Sequence, residues 1–262
     1  MCEPDHYEVR YEINPWMSIK RPADRRRAQS QWSALREALQ AAGAQIELVE
    51  PVAGLPDLVF TANAGMVLGS RVVMSNFRYP ERQPEEAVFR RWFEAAGYLV
   101  EVLPDRLAFE GEGDAFLVGD TLFAAYRFRS DVQGHHLLAE IAGTEAVSLE
   151  LTDPRFYHLD TCFCPLDGDT ALYYPGAFDD HGRRAMANEI ATLIAVPEAE
   201  ALRFACNAVV LGDAVFLQQG CPETSRLLSD RGFQPHAVDL SEFLKAGGSA
   251  KCLALFLERP GG

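Results

Sequence analysis

Over the first thirteen residues Tyr7, Val9, Tyr11 and Ile13 alternate with polar or charged neighbours and stop at Asn14-Pro15-Trp16-Met17, a pattern that predicts a half-buried strand closed by a turn. Between 24 and 42 the apolar positions take helical spacing, at Ala28, Trp32, Leu35 and Leu39, and Gly43 stops the helix. A strand is predicted at 45–49. The same unit returns with Phe89, Trp92, Phe93 and Ala96 on a helix, Gly97, and a strand at 99–103. It returns again as a helix at 137–141, Gly143 and a strand at 147–151, and as Leu227-Leu228, Gly232 and a strand at 237–240. The gap between Gly143 and Gly232 holds a further copy without a stop glycine, a helix at 183–193 running into Ile194-Ala195-Val196.

A second series keeps step with the first. Tight hairpin turns are predicted at Gly69-Ser70, Gly119-Asp120, Gly168-Asp169 and Gly212-Asp213, each between two apolar runs, and a fifth unit begins its strand after Cys252. Both series repeat about every fifty residues, so the units are strand-helix repeats that cannot bury their faces alone and must pack side by side. Five such α/β units can close into a ring, and a ring brings equivalent positions to its axis. Asn63, Asp114, His158 with Asp160, Asn207 and Cys252 open the first hairpin strand of successive units and are therefore expected to share one site.

Composition narrows the chemistry. The 262 residues provide ample apolar content for a core, and one domain spanning 1–262 is expected. A formal charge of −14 argues against nucleic acid, which needs basic patches, and suits a cationic small molecule. No apolar run reaches the length of a membrane span, and Asp5, His6 and Glu8 do not resemble an export signal, so the cytoplasm is the expected location. Nothing in the pattern speaks for or against a homo-oligomer. The six cysteines form no quartet of metal-site spacing and no disulfide framework suited to a chain this long, and Cys162-x-Cys164 reads as one face of a core strand.

Gly247-Gly248 ahead of Cys252 lets a backbone approach a ligand closely and places a thiol at a loop-strand junction, where it is expected to be exposed. Free cysteine is among the most buried residue types, so the alternative is a small core hydrophobe. A nucleophilic thiol needs a base or a cation beside it. His158 is the best placed of the six histidines, while His135-His136 and His181 read as surface or loop residues and His236 lies in a strand after a proline. Glu110-Gly111-Glu112-Gly113-Asp114 pins carboxylates at the mouth of an apolar run, which fits recognition of a planar guanidinium. Asp57 and Asn63 stand at the matching point of the first unit, and Arg78, Arg82, Arg127 and Arg129 follow the first strands of two units.

Four motifs in order over the whole chain, Pro56-Asp57-x-Val59-Phe60, Glu110-Gly111-x-Gly113-Asp114, His158-Leu159-x-Thr161 and Gly247-Gly248-x-x-x-Cys252, resemble the guanidino-modifying enzymes. That superfamily includes arginine deiminases, amidinotransferases and dimethylarginine dimethylaminohydrolases, and the resemblance implies a five-bladed α/β propeller. Met1-Cys2-x-Pro4, Ile13-Asn14-Pro15-Trp16-Met17, Phe60-Thr61-Ala62-Asn63-Ala64-Gly65 and Phe109-Glu110-Gly111-Glu112-Gly113-Asp114 look most like the catalytic domain of the arginine dihydrolases.

The resemblance implies Cys252 as nucleophile, His158 as general acid and base, and Glu110 as the carboxylate that holds the guanidinium and orients the histidine. It places Asn14 and Asn63 against the reacting group, Arg82 and Arg129 on the substrate α-carboxylate, and Asp57, Asp114 and Ser249 in the same motifs. Neither metal nor organic cofactor is implied. Where deiminases and dimethylargininases carry an aspartate, this chain has Asn63. An amide can donate to and accept from a neutral ureido group, so the expectation is that citrulline is kept for a second attack and ornithine is released. A deiminase or dimethylargininase is the alternative, and a non-catalytic propeller that binds a partner is a third.

Overall fold

The computed structural model describes residues 1–258. Its order is α1 (Arg25–Ala41), β1 (Gly65–Leu68), β2 (Arg71–Met74), α2 (Gln83–Ala95), β3 (Leu99–Glu101), β4 (Ala115–Val118), β5 (Thr121–Tyr126), α3 (His135–Ala142), β6 (Glu145–Glu150), β7 (Phe163–Pro165) and β8 (Thr170–Tyr173). It continues through α4 (Asp180–Glu189), β9 (Thr192–Ala195), α5 (Glu198–Ala201), β10 (Val209–Leu211), β11 (Ala214–Gln218), α6 (Pro222–Ser229), β12 (Gln234–Val238) and α7 (Ser241–Leu244). Four three-stranded mixed sheets result, each an antiparallel hairpin with a third strand added parallel to its second: β1-β2-β3, β4-β5-β6, β7-β8-β9 and β10-β11-β12.

All four predicted hairpins form, with Gly69-Ser70, Gly119-Asp120, Gly168-Asp169 and Gly212-Asp213 in their connections. The helices bury the stripes that the pattern marks. Trp32, Leu35 and Leu39 of α1, and Phe89 and Phe93 of α2, are at most 2% exposed. Gly43, Gly97, Gly143 and Gly232 adopt φ of 96°, 87°, 72° and 90°, the left-handed turn that ends a helix and that a Cβ resists. Two boundaries move: the helix expected at 183–193 is α4, ending at Glu189 before β9, and the last outer strand is β12 instead of 237–240.

The fifth unit departs from expectation. Residues 7–13 form no strand, although Tyr7, Val9 and Ile13 are buried, so the alternation there records burial without a ladder partner. Residues 45–49 carry a single parallel bridge, Cys2 to Val49. After Cys252 the described residues turn and extend without pairing. Residues 44–47, Val49 and 254–258 instead line a cavity of about 770 Å³, and among the described residues no ladder bond joins the two segments.

The core follows the repeats, with Phe116, Phe123, Phe156 and Phe163 packing units two and three together. Tyr7, Trp32, Phe60, Phe216 and Phe243 join the fourth unit to the first. Cys162, Cys164 and Cys206 are free thiols in this core, at most 4% exposed, in agreement with the structural reading of Cys162-x-Cys164. Among the described residues no helix is long and apolar enough to cross a membrane.

Candidate active site

The first strands of the four hairpins are preceded by tight turns, Thr61–Ala64, Gly111–Gly113 and Leu159–Thr161 in the first three units, with Asn207 in the corresponding place of the fourth. These segments touch one another in sequence. Asn63 Nδ2 donates to Glu110 O at 3.0 Å, Leu159 N donates to Asp114 Oδ1 at 3.1 Å, and Asn207 Nδ2 donates to Asp160 O at 3.0 Å. Asn207 Nδ2 also reaches Cys252 Sγ at 3.1 Å, and Cys252 O accepts from Ala62 N at 3.1 Å, which returns the path to the first unit. Asn63, Asp114, His158, Asp160, Asn207 and Cys252 are all at most 3% exposed.

The thiol is buried, not exposed. Gly247 has φ 84°, and a Cβ there would lie 2.9 Å from the Tyr157 hydroxyl, while a Cβ on Gly248 would lie 2.7 Å from the Phe60 ring, so the diglycine is needed for the loop to close over Cys252. Cys252 Sγ donates to Asp160 Oδ2 at 3.1 Å. Burial pushes the thiol well above its usual range and the Asp160 carboxylate pushes it further, against the donors from Ser249 N and Asn207. Burial also raises Asp160 to about 6, opposed by Lys251. In this state the sulfur holds its proton. A cation arriving in the cavity favours the thiolate.

His158 Nε2 lies 2.7 Å from Glu110 Oε2, and the same oxygen accepts from Arg129 Nη1 at 2.9 Å. Burial works against the Glu110 carboxylate, yet Arg129 and His158 hold it well below the usual carboxylate range. An ionised Glu110 accepts only, so Nε2 carries a proton and Nδ1 is the ring nitrogen free to exchange one. Burial raises Asp114 to about 6 against His158 and the Ser130 hydroxyl, which donates to Asp114 Oδ2 at 2.6 Å.

Arg82 gives its guanidinium to Glu85, to Asp57 O and to Asn63 Oδ1 at 2.8 Å, and it lies 4.4 Å from the Phe77 ring centroid. Arg129 also donates to Ile13 O at 3.0 Å and sits between the Tyr79 and Tyr157 rings, 4.7 Å from each centroid. Both arginines retain N–H groups beyond these bonds. Arg78 and Arg127 instead pair with Asp131 and Glu150 at the surface. Asp57 Oδ2 accepts from the Tyr11 hydroxyl at 2.9 Å while its Oδ1 is buried without a partner, and burial raises this carboxyl against Arg82. Asn14 folds into a turn, its Oδ1 accepting from Trp16 N and Met17 N and its Nδ2 donating to Ala246 O. Ser249 contributes its backbone N–H to Asn207, with its hydroxyl buried and unpartnered.

Asn14, Asp57, Asn63, Arg82, Arg129 and Cys252 line one small cavity of about 10 Å³, room for about one water. Glu110, Asp114, His158 and Ser249 are not part of that lining; His158 is linked to it through Glu110, whose Oε2 also accepts from the lining residue Arg129. His135 departs from the surface reading: it is 3% exposed at the start of α3, bonded to Ser148 Oγ at 2.8 Å. The motifs by themselves do not announce the Tyr11 hydroxyl on Asp57, Ser130 on Asp114, or the buried ion pair of Lys251 Nζ with Glu112 Oε2 at 3.1 Å. Each joins residues distant in the chain, and no local pattern signals such a bond.

A family model described as N,N dimethylarginine dimethylhydrolase, eukaryotic, matches residues 11–257. The chain belongs to that family. Membership in the guanidino-modifying superfamily, expected from the motifs, is thereby borne out. Its curated relatives include the bifunctional arginine dihydrolase/ornithine cyclodeaminase AgrE of a Nostoc species, 49% identical over 99% of this chain. They also include the N(G),N(G)-dimethylarginine dimethylaminohydrolase of Mycobacterium tuberculosis, 41% identical over 97% of this chain and 84% of that protein. The chain spans 38% of the length of AgrE. Among solved structures, the N-terminal domain of the cyanobacterial arginine dihydrolase ArgZ bound to its substrate superimposes with a TM-score of 0.96 at 47% identity, covering 99% of this chain and 97% of that one.

Proposed function

We propose that this chain is an arginine dihydrolase, converting free L-arginine and two waters to ornithine, carbon dioxide and two ammonia without metal or organic cofactor. The observation that carries the reading is that the Asn63 carboxamide shares with the Cys252 thiol a cavity also lined by Asn14, Asp57, Arg82 and Arg129, in a chain 49% identical to AgrE.

In this scheme the guanidinium enters as a cation and the Cys252 thiol passes its proton to His158, leaving the thiolate. The thiolate attacks the guanidinium carbon, His158 gives a proton to the departing nitrogen, and ammonia leaves a thiouronium on sulfur. Water, deprotonated by His158, attacks that carbon, and the C–S bond breaks to give citrulline. Asn63 keeps a second N–H and a second lone pair beyond its bonds to Glu110 O and Arg82. Those suit a ureido group, which both donates and accepts, so citrulline stays for a second attack. Loss of the second ammonia and hydrolysis of the thiocarbamate give a carbamate, which falls to ornithine and carbon dioxide. The cavity is too small for arginine as it stands, so the Asn14–Met17 turn and the Gly247–Ser249 loop must part for entry.

The five-bladed α/β propeller, one catalytic domain over 1–262, is part of the same proposal. The four sheets and the cycle of bonds running from Asn63 through Cys252 and back to Ala62 support it. A cytoplasmic enzyme acting on a small guanidino substrate, without nucleic acid or membrane partners, fits the charge of −14. The family match and the relative from Mycobacterium tuberculosis favour a second reading, hydrolysis of dimethylarginine to citrulline and dimethylamine. Incubation with L-arginine and with asymmetric dimethylarginine, with quantitation of ornithine, citrulline, ammonia and dimethylamine, separates the two. Ornithine with two equivalents of ammonia is expected. Stoichiometric citrulline without ornithine refutes the dihydrolase reading.

A further inference from the structure

Asn207 is fully buried ahead of β10, and its carboxamide has no spare hydrogen-bonding capacity. Oδ1 accepts from Ser249 N at 3.0 Å and Cys252 N at 3.1 Å, while Nδ2 donates to Asp160 O at 3.0 Å and Cys252 Sγ at 3.1 Å. An amide has two lone pairs and two N–H donors, and all four are used here. The orientation is unambiguous, because a flipped amide would set its donors against two backbone N–H groups and its oxygen against a carbonyl. Its own carbonyl accepts from Lys251 N at 3.3 Å, so the side chain and backbone of one residue grip three positions of the 249–252 loop.

Asn63 makes an instructive contrast. It occupies the equivalent position of the first unit and makes the equivalent bond to a neighbouring turn, yet retains capacity toward the cavity. Asn207 retains none, so it cannot bind substrate and acts only through Cys252 and Asp160.

We propose that Asn207 is a positioning residue for the reaction: it fixes the direction of the Cys252 sulfur by holding its loop and supplies a side-chain amide donor that, with the Ser249 backbone N–H, stabilises the thiolate formed there. The inference rests on Cys252 as the nucleophile of the proposed reaction. Asp160 opposes the thiolate at 3.1 Å, and Lys251 is its chain neighbour. Asp57, Arg82, Arg129 and Tyr157 face the thiol across the small cavity. Of these, Asp160 is itself lowered by Asn207, so losing Asn207 raises that carboxyl and weakens its opposition to the thiolate; an alkaline displacement of the thiol common to a charged and an uncharged replacement therefore reports the lost donor.

The test is Asn207→Asp, which keeps the shape and turns the donor into an oxygen facing sulfur. The readouts are the rate of Cys252 alkylation by iodoacetamide against pH, identified by peptide mapping, together with kcat and KM for arginine. Expected is an alkaline displacement of the alkylation profile by at least one pH unit, and a fall in kcat on the order of 10- to 100-fold with KM within threefold, the scale of one hydrogen bond to a charged group. Asn207→Ser, which removes the donor without adding charge, should give a smaller displacement in the same direction and serves if Asn207→Asp does not fold. A folded variant with the wild-type alkylation profile overturns the proposal, whatever its activity. If the wild-type protein does not turn over arginine, the reaction assigned above fails while the alkylation profiles still decide the role of Asn207.

Discussion

Replacing Glu110 by Gln keeps the side chain's size and removes its charge at a position with no solvent exposure. Two cationic or potentially cationic partners depend on that charge, through one oxygen at 2.7 Å from His158 and 2.9 Å from Arg129. Breaking a buried pair by removing one member costs about 3–5 kcal/mol, because the remaining charge is left without compensation in a dry site. With an unfolding entropy of about 2.1 cal/mol/K per residue, a chain of this length should lose about 5–9 °C in Tm. Glu110→Gln should also lower kcat by about 10²–10⁴-fold, the usual contribution of a positioned acid-base group, since an amide no longer orients an imidazolium.

The pH dependence supplies a sharper check. The folded Glu110 carboxyl lies well below its unfolded value of about 4.3, so its stabilisation is complete above that value and is lost as the pH falls toward the folded pKa. Thermal unfolding followed by circular dichroism should therefore show the largest gap between wild type and Glu110→Gln near neutrality, narrowing below about pH 4. A gap under about 2 °C at neutral pH, or one that acid leaves unchanged, would refute the assignment of Glu110 as the charge that holds His158 and Arg129 together.

Three other outcomes are expected. Asn63→Asp places an anionic oxygen against Glu110 O, where Nδ2 now donates, and should shift the product from ornithine toward free citrulline in the ammonia and amino-acid assay. Gly113→Ala would set a Cβ 2.2 Å from Asn63 Nδ2 and 3.4 Å from the His158 ring, so kcat/KM should fall by about 10²-fold or more with a folded far-UV spectrum retained. Asp160 is raised to about 6 in the fold, so its carboxylate costs stability that is absent at low pH and grows as the pH rises through the unfolded value toward 6. Asp160→Asn should accordingly have a higher Tm than wild type at neutral pH, by the equivalent of up to about 3 kcal/mol, with lower activity and an advantage that disappears near pH 4; an equal advantage at both pH values would contradict this.

Local patterning determined the parts of the molecule made by near neighbours. The stripes of α1 and α2, the stop glycines and the four hairpin turns depend on spacing within some twenty residues, and each is found where the periodicity placed it. The repeat also made Asn63, Asp114, His158, Asp160, Asn207 and Cys252 candidates for one site, since equivalent positions of packed units converge. What the pattern misjudged were segments whose state depends on a distant partner. Residues 7–13, 45–49 and those after Cys252 read as strands, yet a strand needs a neighbour to take its backbone bonds, and among the described residues of these segments only a bridge at Cys2 and Val49 forms. The same reason hid the burial of the Cys252 thiol, the Tyr11 bond to Asp57 and the saturation of Asn207. Each joins parts of the chain more than forty residues apart, and packing of the units against one another decides the dielectric, the donors and the room at the site.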